Sequence, residues 1–78
     1  MKTSPDNPSH RKRLGAAIRA KRKVAGVSQE KLAEIADVHR NYVGLVERGE
    51  QNLTVEMLFR FARSLRCKPS SLLVDAGY

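Results

Sequence analysis

Four polar side chains stand in a row at His39, Arg40, Asn41 and Tyr42, inside the stretch VHRNYVGLVERG that runs from Val38 to Gly49. A folding core draws only on Val43 and Val46 there, which leaves the polar set for water or for a partner. Arginine presents a fork of donors matching O6 and N7 of guanine, and asparagine pairs in two bonds with N6 and N7 of adenine, each worth roughly 1–3 kcal/mol of discrimination. Arg40 and Asn41 are therefore the candidate base readers. His39, Tyr42 and Gln29 carry groups that bond phosphate oxygens, which fixes register without reading sequence. Each has a plainer role beside this one: Arg40 as a solvated arginine, Asn41 as a helix-start residue, His39 as an N-cap, and Tyr42 with its ring packed and only its hydroxyl wet. Leu45, one turn beyond Asn41, suits either a thymine methyl or the neighbouring helix.

Rigid elements must present such a row, and the apolar pattern predicts five helices. Ser9 stands as a cap, and from His10 onward Leu14, Ala17, Ile18, Val24 and Ala25 recur at helical spacing with only Lys21 interrupting. Gly26 ends that helix where a left-handed residue is wanted. Ser28 caps a second helix, with Gln29 and Glu30 in its first turn and Leu32, Ala33, Ile35 and Ala36 facing inward. Asp37 follows at a sharp turn, since Asp tolerates a left-handed conformation better than most residues. A third helix runs from His39 through Glu47 and closes at Gly49. Leu53 and Thr54 staple and cap a fourth, whose Val55, Leu58, Phe59, Phe61, Ala62 and Leu65 make a wide apolar face. Pro69 suits the first position of a last helix, roughly residues 69–76. Its Leu72, Leu73 and Val74 exceed what one small domain buries and read as a homodimer surface; the alternative is that they close the base of the core.

The chain has 78 residues, one small domain of modest burial. Residues 1–8 hold two prolines and no apolar periodicity and read as a flexible arm, which leaves 9–78 for the domain. A lone Cys67 closes no internal disulfide, and no basic start precedes a long apolar run, so a reducing cytoplasm is the default. No apolar stretch is long enough to suggest a membrane span. The net charge is +7, from 15 Lys and Arg against 8 Asp and Glu, and the excess lies in residues 1–28, where Asp6 is the only acid. Such a field attracts a polyanion, although a solvated basic helix face looks the same. His10, His39 and Cys67 are scattered, with no paired carboxylates and no metal-ligand spacing, so neither enzyme chemistry nor a metal or cofactor is expected. An aromatic content of 5% argues against sequence-specific reading of RNA.

Two helices of about eight residues joined by a three- to four-residue turn form a helix-turn-helix, whose second helix enters the DNA major groove with its N-terminal residues on base edges. The run SQEKLAEIADVHRNYVGLVERGEQNLTVEMLFRFARSLRCKPSSLL resembles the DNA-binding domain of the phage lambda repressor and Cro family of bacterial regulators. Within it, HRNYVGLVERGEQNLT most resembles the controller proteins of restriction-modification systems. The resemblance implies an all-α, five-helix fold with Gln29 on a phosphate, Arg40, Asn41 and Tyr42 on DNA, and Arg48, Gln51 and Asn52 on the backbone. It further implies an ion pair between Arg22 and Glu47 that orients the third helix. The family often has glycine where Asp37 stands, which raises a question about the turn. Its larger repressors carry a second domain for dimerisation or sensing, a role that falls here to the last helix. The expectation is a cytoplasmic, nucleoid-associated homodimer that regulates transcription by binding an inverted repeat in double-stranded DNA, where it excludes or contacts RNA polymerase. A protein-binding adaptor or antitoxin-like partner of the same fold is the competing reading.

Overall fold

Local signals set where the helices start and stop. In the computed structural model, which describes residues 8–78, the elements are α1 (Pro8–Val24), α2 (Gln29–Ala36), α3 (Arg40–Glu47), α4 (Val55–Ser64) and α5 (Pro69–Asp75). The Ser28 hydroxyl accepts from the Lys31 amide and the Thr54 hydroxyl from the Met57 amide, each satisfying a donor that a helix start leaves open. Pro69 opens α5. Gly26 and Gly49 both adopt the left-handed conformation that stops α1 and α3. Asp37 does the same at φ 59°, ψ 49°, so the turn takes the shape a glycine would give it.

Two expectations at the chain's start change. Ser9 lies inside α1, not at its cap, because the helix begins one residue earlier. Of the arm expected over residues 1–8, only Pro8 is described, as the first residue of α1, and the rest lies outside the described residues.

Among the described residues all regular structure is helical. The core gathers Ile18 of α1, Leu32 of α2, Val43 and Val46 of α3, Phe61 of α4 and Leu72 of α5, all essentially inaccessible to solvent. α1 packs on α3 and α5, while α4 packs on α2 and α5. α1 crosses α3 at Gly15, where a Cβ would stand 2.1 Å from the backbone oxygen of Val46 and 2.9 Å from that of Glu47. α1 therefore lies directly on the backbone of the last turn of α3.

The inward faces are narrower than the apolar pattern suggests. Ile35 is exposed because Leu32, Ala33 and Ala36 already span the arc of α2 that meets the core. Val55 and Phe59 likewise fall outside the arc of Leu58, Phe61, Ala62 and Leu65 on α4. Val24 and Ala25 are exposed at the end of α1, past its crossing with the rest of the domain. The three residues of α5 expected to form a dimer surface also divide. Leu72 is 0% exposed and belongs to the protomer's own core, Leu73 packs against that core, and Val74 stands 65% exposed. A seven-residue helix wedged against α1 and α4 turns one side fully inward, and Leu72 is on it.

Candidate nucleic-acid interface

The turn between α2 and α3 holds the polar row in place by three local devices. Asp37 reverses the chain in its left-handed conformation, Arg60 of α4 donates to the Asp37 carbonyl at 3.4 Å, and the His39 ring accepts from the Asn41 amide at 3.1 Å. His39 therefore does act as the N-cap, through Nδ1, and keeps Nε2 for another contact.

The candidate residues fall into two neighbouring depressions. One, of roughly 390 Å³, is lined by Gln29, Arg40, Asn41, Gly44, Leu45 and Arg48. Positions 40, 41, 44, 45 and 48 recur at helical spacing, so they form the outward stripe of α3, and Gln29 joins them from the start of α2. Both base-reading candidates lie here, and so does a half-buried Leu45. The second depression, of roughly 490 Å³, is lined by Val38, His39, Tyr42, Gln51, Asn52, Thr54 and Met57. It unites four of the expected backbone contacts, whereas Gln29 and Arg48 sit with the base readers.

Tyr42 follows the packed reading of its ring. Its ring stacks on Phe61 with centroids 6.2 Å apart, and its hydroxyl donates to the Asn52 carbonyl at 3.4 Å. Burial pushes the Tyr42 phenol above its ordinary pKa.

Behind the stripe, Arg22 and Glu47 form the ion pair that the family resemblance implies. Nε of Arg22 donates to Oε2 at 2.6 Å, Nη2 donates to Oε1 at 3.0 Å, and Nη1 caps the Val27 carbonyl at 2.9 Å. The pair is buried, with side-chain exposures of 10% and 2%. The bond to Glu47 raises the Arg22 pKa, against the opposing pull of burial.

Three further positioning contacts escaped the sequence reading. Gln29 Nε2 donates to Glu47 Oε1 at 3.0 Å, so the buried carboxylate holds Gln29 as well as Arg22. Arg40 lies 3.4 Å from the Glu30 carboxylate across the turn, which restrains the guanidinium at a solvent-exposed site. Arg11 of α1 donates to the Gly49 carbonyl at 3.2 Å and to Asn52 Oδ1 at 3.5 Å, tying the loop after α3 to the first helix. The only hint of these in the sequence is that opposite charges or amides are present; their pairing depends on how the helices cross.

Among the described residues no group of three His, Cys, Asp or Glu side chains is placed to hold a metal ion, and no helix is long and apolar enough to cross a membrane.

Residues 18–72 match a protein-family model described as helix-turn-helix. The chain is 41% identical over 64 residues to the control protein C.SmaI of Serratia marcescens, an overlap of 82% of this chain and 76% of that one. Among solved structures it resembles the restriction-modification controller protein C.AhdI from Aeromonas hydrophila, with a TM-score of 0.79 and 35% identity over 81% of this chain and 96% of that one. It is also similar to the clp gene regulator ClgR from Corynebacterium glutamicum, with a TM-score of 0.83 and 33% identity over 85% of this chain and 70% of that one.

Proposed function

The chain belongs to the helix-turn-helix family of DNA-binding transcription regulators, and from that premise we propose that it is a homodimer reading an inverted-repeat operator with α3 in the major groove. The observation that carries this reading is the depression where Arg40, Asn41, Leu45 and Arg48 project from one face of α3 beside Gln29. Arg40 and Asn41 bond base edges there. Gln29, His39, Tyr42, Arg48, Gln51 and Asn52 take phosphates along the two flanks. A twofold dimer sets two such helices about one turn of the duplex apart, so each reads a half-site.

Control follows from occupancy. Bound over a promoter the dimer excludes RNA polymerase, and bound just upstream it offers polymerase a contact. The likeness to C.SmaI and C.AhdI supports control of a restriction-modification operon, a role exercised on DNA at the nucleoid in the cytoplasm.

Selection of bound duplexes from a random DNA pool at near-physiological salt tests this. The expected product is an inverted repeat with half-sites about 10 bp apart. A pool with no motif leaves only charge-driven attraction and sinks the operator reading. On the selected site, Arg40→Ala and Asn41→Ala should each lower preference over mixed-sequence DNA by about 30- to 25,000-fold, since the dimer loses the contact in both half-sites. An adaptor that binds a protein partner would lose nothing from either change.

A further inference from the structure

Most of the basic side chains in the first helix are already engaged. Arg13 donates to the carbonyls of Ala76 and Gly77, Lys21 pairs with Asp75, Arg22 with Glu47, and Arg11 binds the loop after α3. Lys12, Arg19 and Lys23 are different, and of these Arg19 and Lys23 stand together. Both are exposed, and among the described residues neither has an ion-pair or hydrogen-bond partner.

These two cations are four residues apart, so they share one face of α1. Ala16 and Ala20 share that face, Ala20 between the two cations and Ala16 one turn before them, and a depression of roughly 390 Å³ is lined by Ala16, Arg19, Ala20, Lys23 and Glu47. Glu47 does not make this seat acidic, since its carboxylate is 2% exposed and already bonded by Arg22 and Gln29. The same Glu47 links the seat to the groove-facing stripe, because Gln29 lines that stripe and sits 3.0 Å from Glu47.

We infer that the Ala16–Lys23 face of α1 is a second DNA-backbone seat, in which Arg19 and Lys23 bind phosphates beyond the stretch covered by α3. This rests on the DNA-binding reading and extends its footprint. The small alanines let the strand lie close to the helix, and the two guanidinium and ammonium groups flank it. Contacts of this kind carry no sequence information; they add affinity that falls with salt.

The test measures binding of the full chain to a mixed-sequence duplex of about 30 bp by fluorescence anisotropy across a salt series, where each phosphate contact contributes about 0.9 to the slope of log K against log[salt]. Arg19→Gln with Lys23→Gln should lower that slope by about 1.8 for each protomer on the duplex, about 3.6 for the dimer, and Arg19→Lys with Lys23→Arg should leave it unchanged. Arg63→Gln, which removes a cation beside Ile35 and Asp37 on α4, serves as the control and should not alter it. An unchanged slope in the double Gln variant, with binding intact, overturns the seat and leaves the proposed function standing. Equal slope losses in the double Gln variant and in Arg63→Gln, scaled per charge, overturn it too, because they show a general field and no contact. Absence of any duplex binding by the unmodified chain overturns the seat together with the function it rests on.

Discussion

Arg22 and Glu47 meet as a two-pronged ion pair, at 2.6 Å and 3.0 Å, that joins α1 to the last residue of α3. The same carboxylate holds Gln29 at the start of α2. One buried acid thus ties together the three helices that build the proposed DNA-facing surface. Glu47→Ala strands the Arg22 charge in the interior and should cost about 3–5 kcal/mol, whereas replacing both partners with apolar residues of similar volume should cost far less. Urea unfolding measures both costs, and duplex affinity reads the orientation of α3. If Glu47→Ala left both stability and affinity intact, the pair would have no orienting role.

Helix starts and turns were legible in the sequence because their causes are local. Ser28, Thr54 and Pro69 act within a turn of where they stand, and Asp37 adopts the left-handed shape that its side chain tolerates. Apolar periodicity located the helices but overestimated their buried faces, since it registers hydrophobicity and not how many neighbours a helix meets. Ile35, Val55 and Phe59 were misplaced for that reason. The stripe of Arg40 and Asn41 was readable from residue type, and the Arg22–Glu47 pair only through family resemblance. The contacts from Gln29, Glu30 and Arg11 span 10 to 41 residues and exist only once the helices have crossed.

The division of α5 between core and surface gives a paired test. Leu72→Ala opens a cavity in the protomer and should cost about 2–5 kcal/mol at any protein concentration. Val74→Asp sits on an exposed position and should shift the protomer's own stability by no more than about 0.5 kcal/mol, while weakening self-association. Sedimentation over a concentration series reads the second change. Unaltered association in Val74→Asp would remove the exposed face of α5 from the dimer interface.

Tyr42 predicts a dependence on alkaline pH. Its folded-state pKa is raised by burial, so the unfolded chain loses this proton first as pH climbs. The stabilisation from the neutral phenol is complete below the ordinary value of about 10 and disappears as pH rises through the folded-state value. Tyr42→Phe cannot ionise. The stability of the parent relative to Tyr42→Phe should therefore fall between about pH 9 and pH 12, as followed by urea unfolding, with other groups cancelling in the difference. A flat difference would mean that the hydroxyl is as free in the fold as in the unfolded chain, and a growing one that the fold favours the phenolate.

Two glycines inside helices should respond to alanine with opposite signs. Intrinsic propensity favours alanine over glycine in a helix interior by about 1 kcal/mol, and this acts equally on both. At Gly44 the new Cβ meets only the tip of the Arg48 side chain, at 3.1 Å, which can swing away. Gly44→Ala should then raise Tm by about 4–8 °C, while crowding the groove-facing depression and weakening duplex binding. At Gly15 the Cβ meets the Val46 backbone oxygen at 2.1 Å, and backbone cannot yield without parting α1 from α3. Overpacking of that kind costs about 1–3 kcal/mol or more and outweighs the propensity gain. Gly15→Ala should therefore lower Tm and, by shifting the last turn of α3, disturb the Arg22–Glu47 pair. A Gly15→Ala protein that melted at or above the parent temperature would show that the crossing has slack, and α1 would then be no rigid support for the recognition surface.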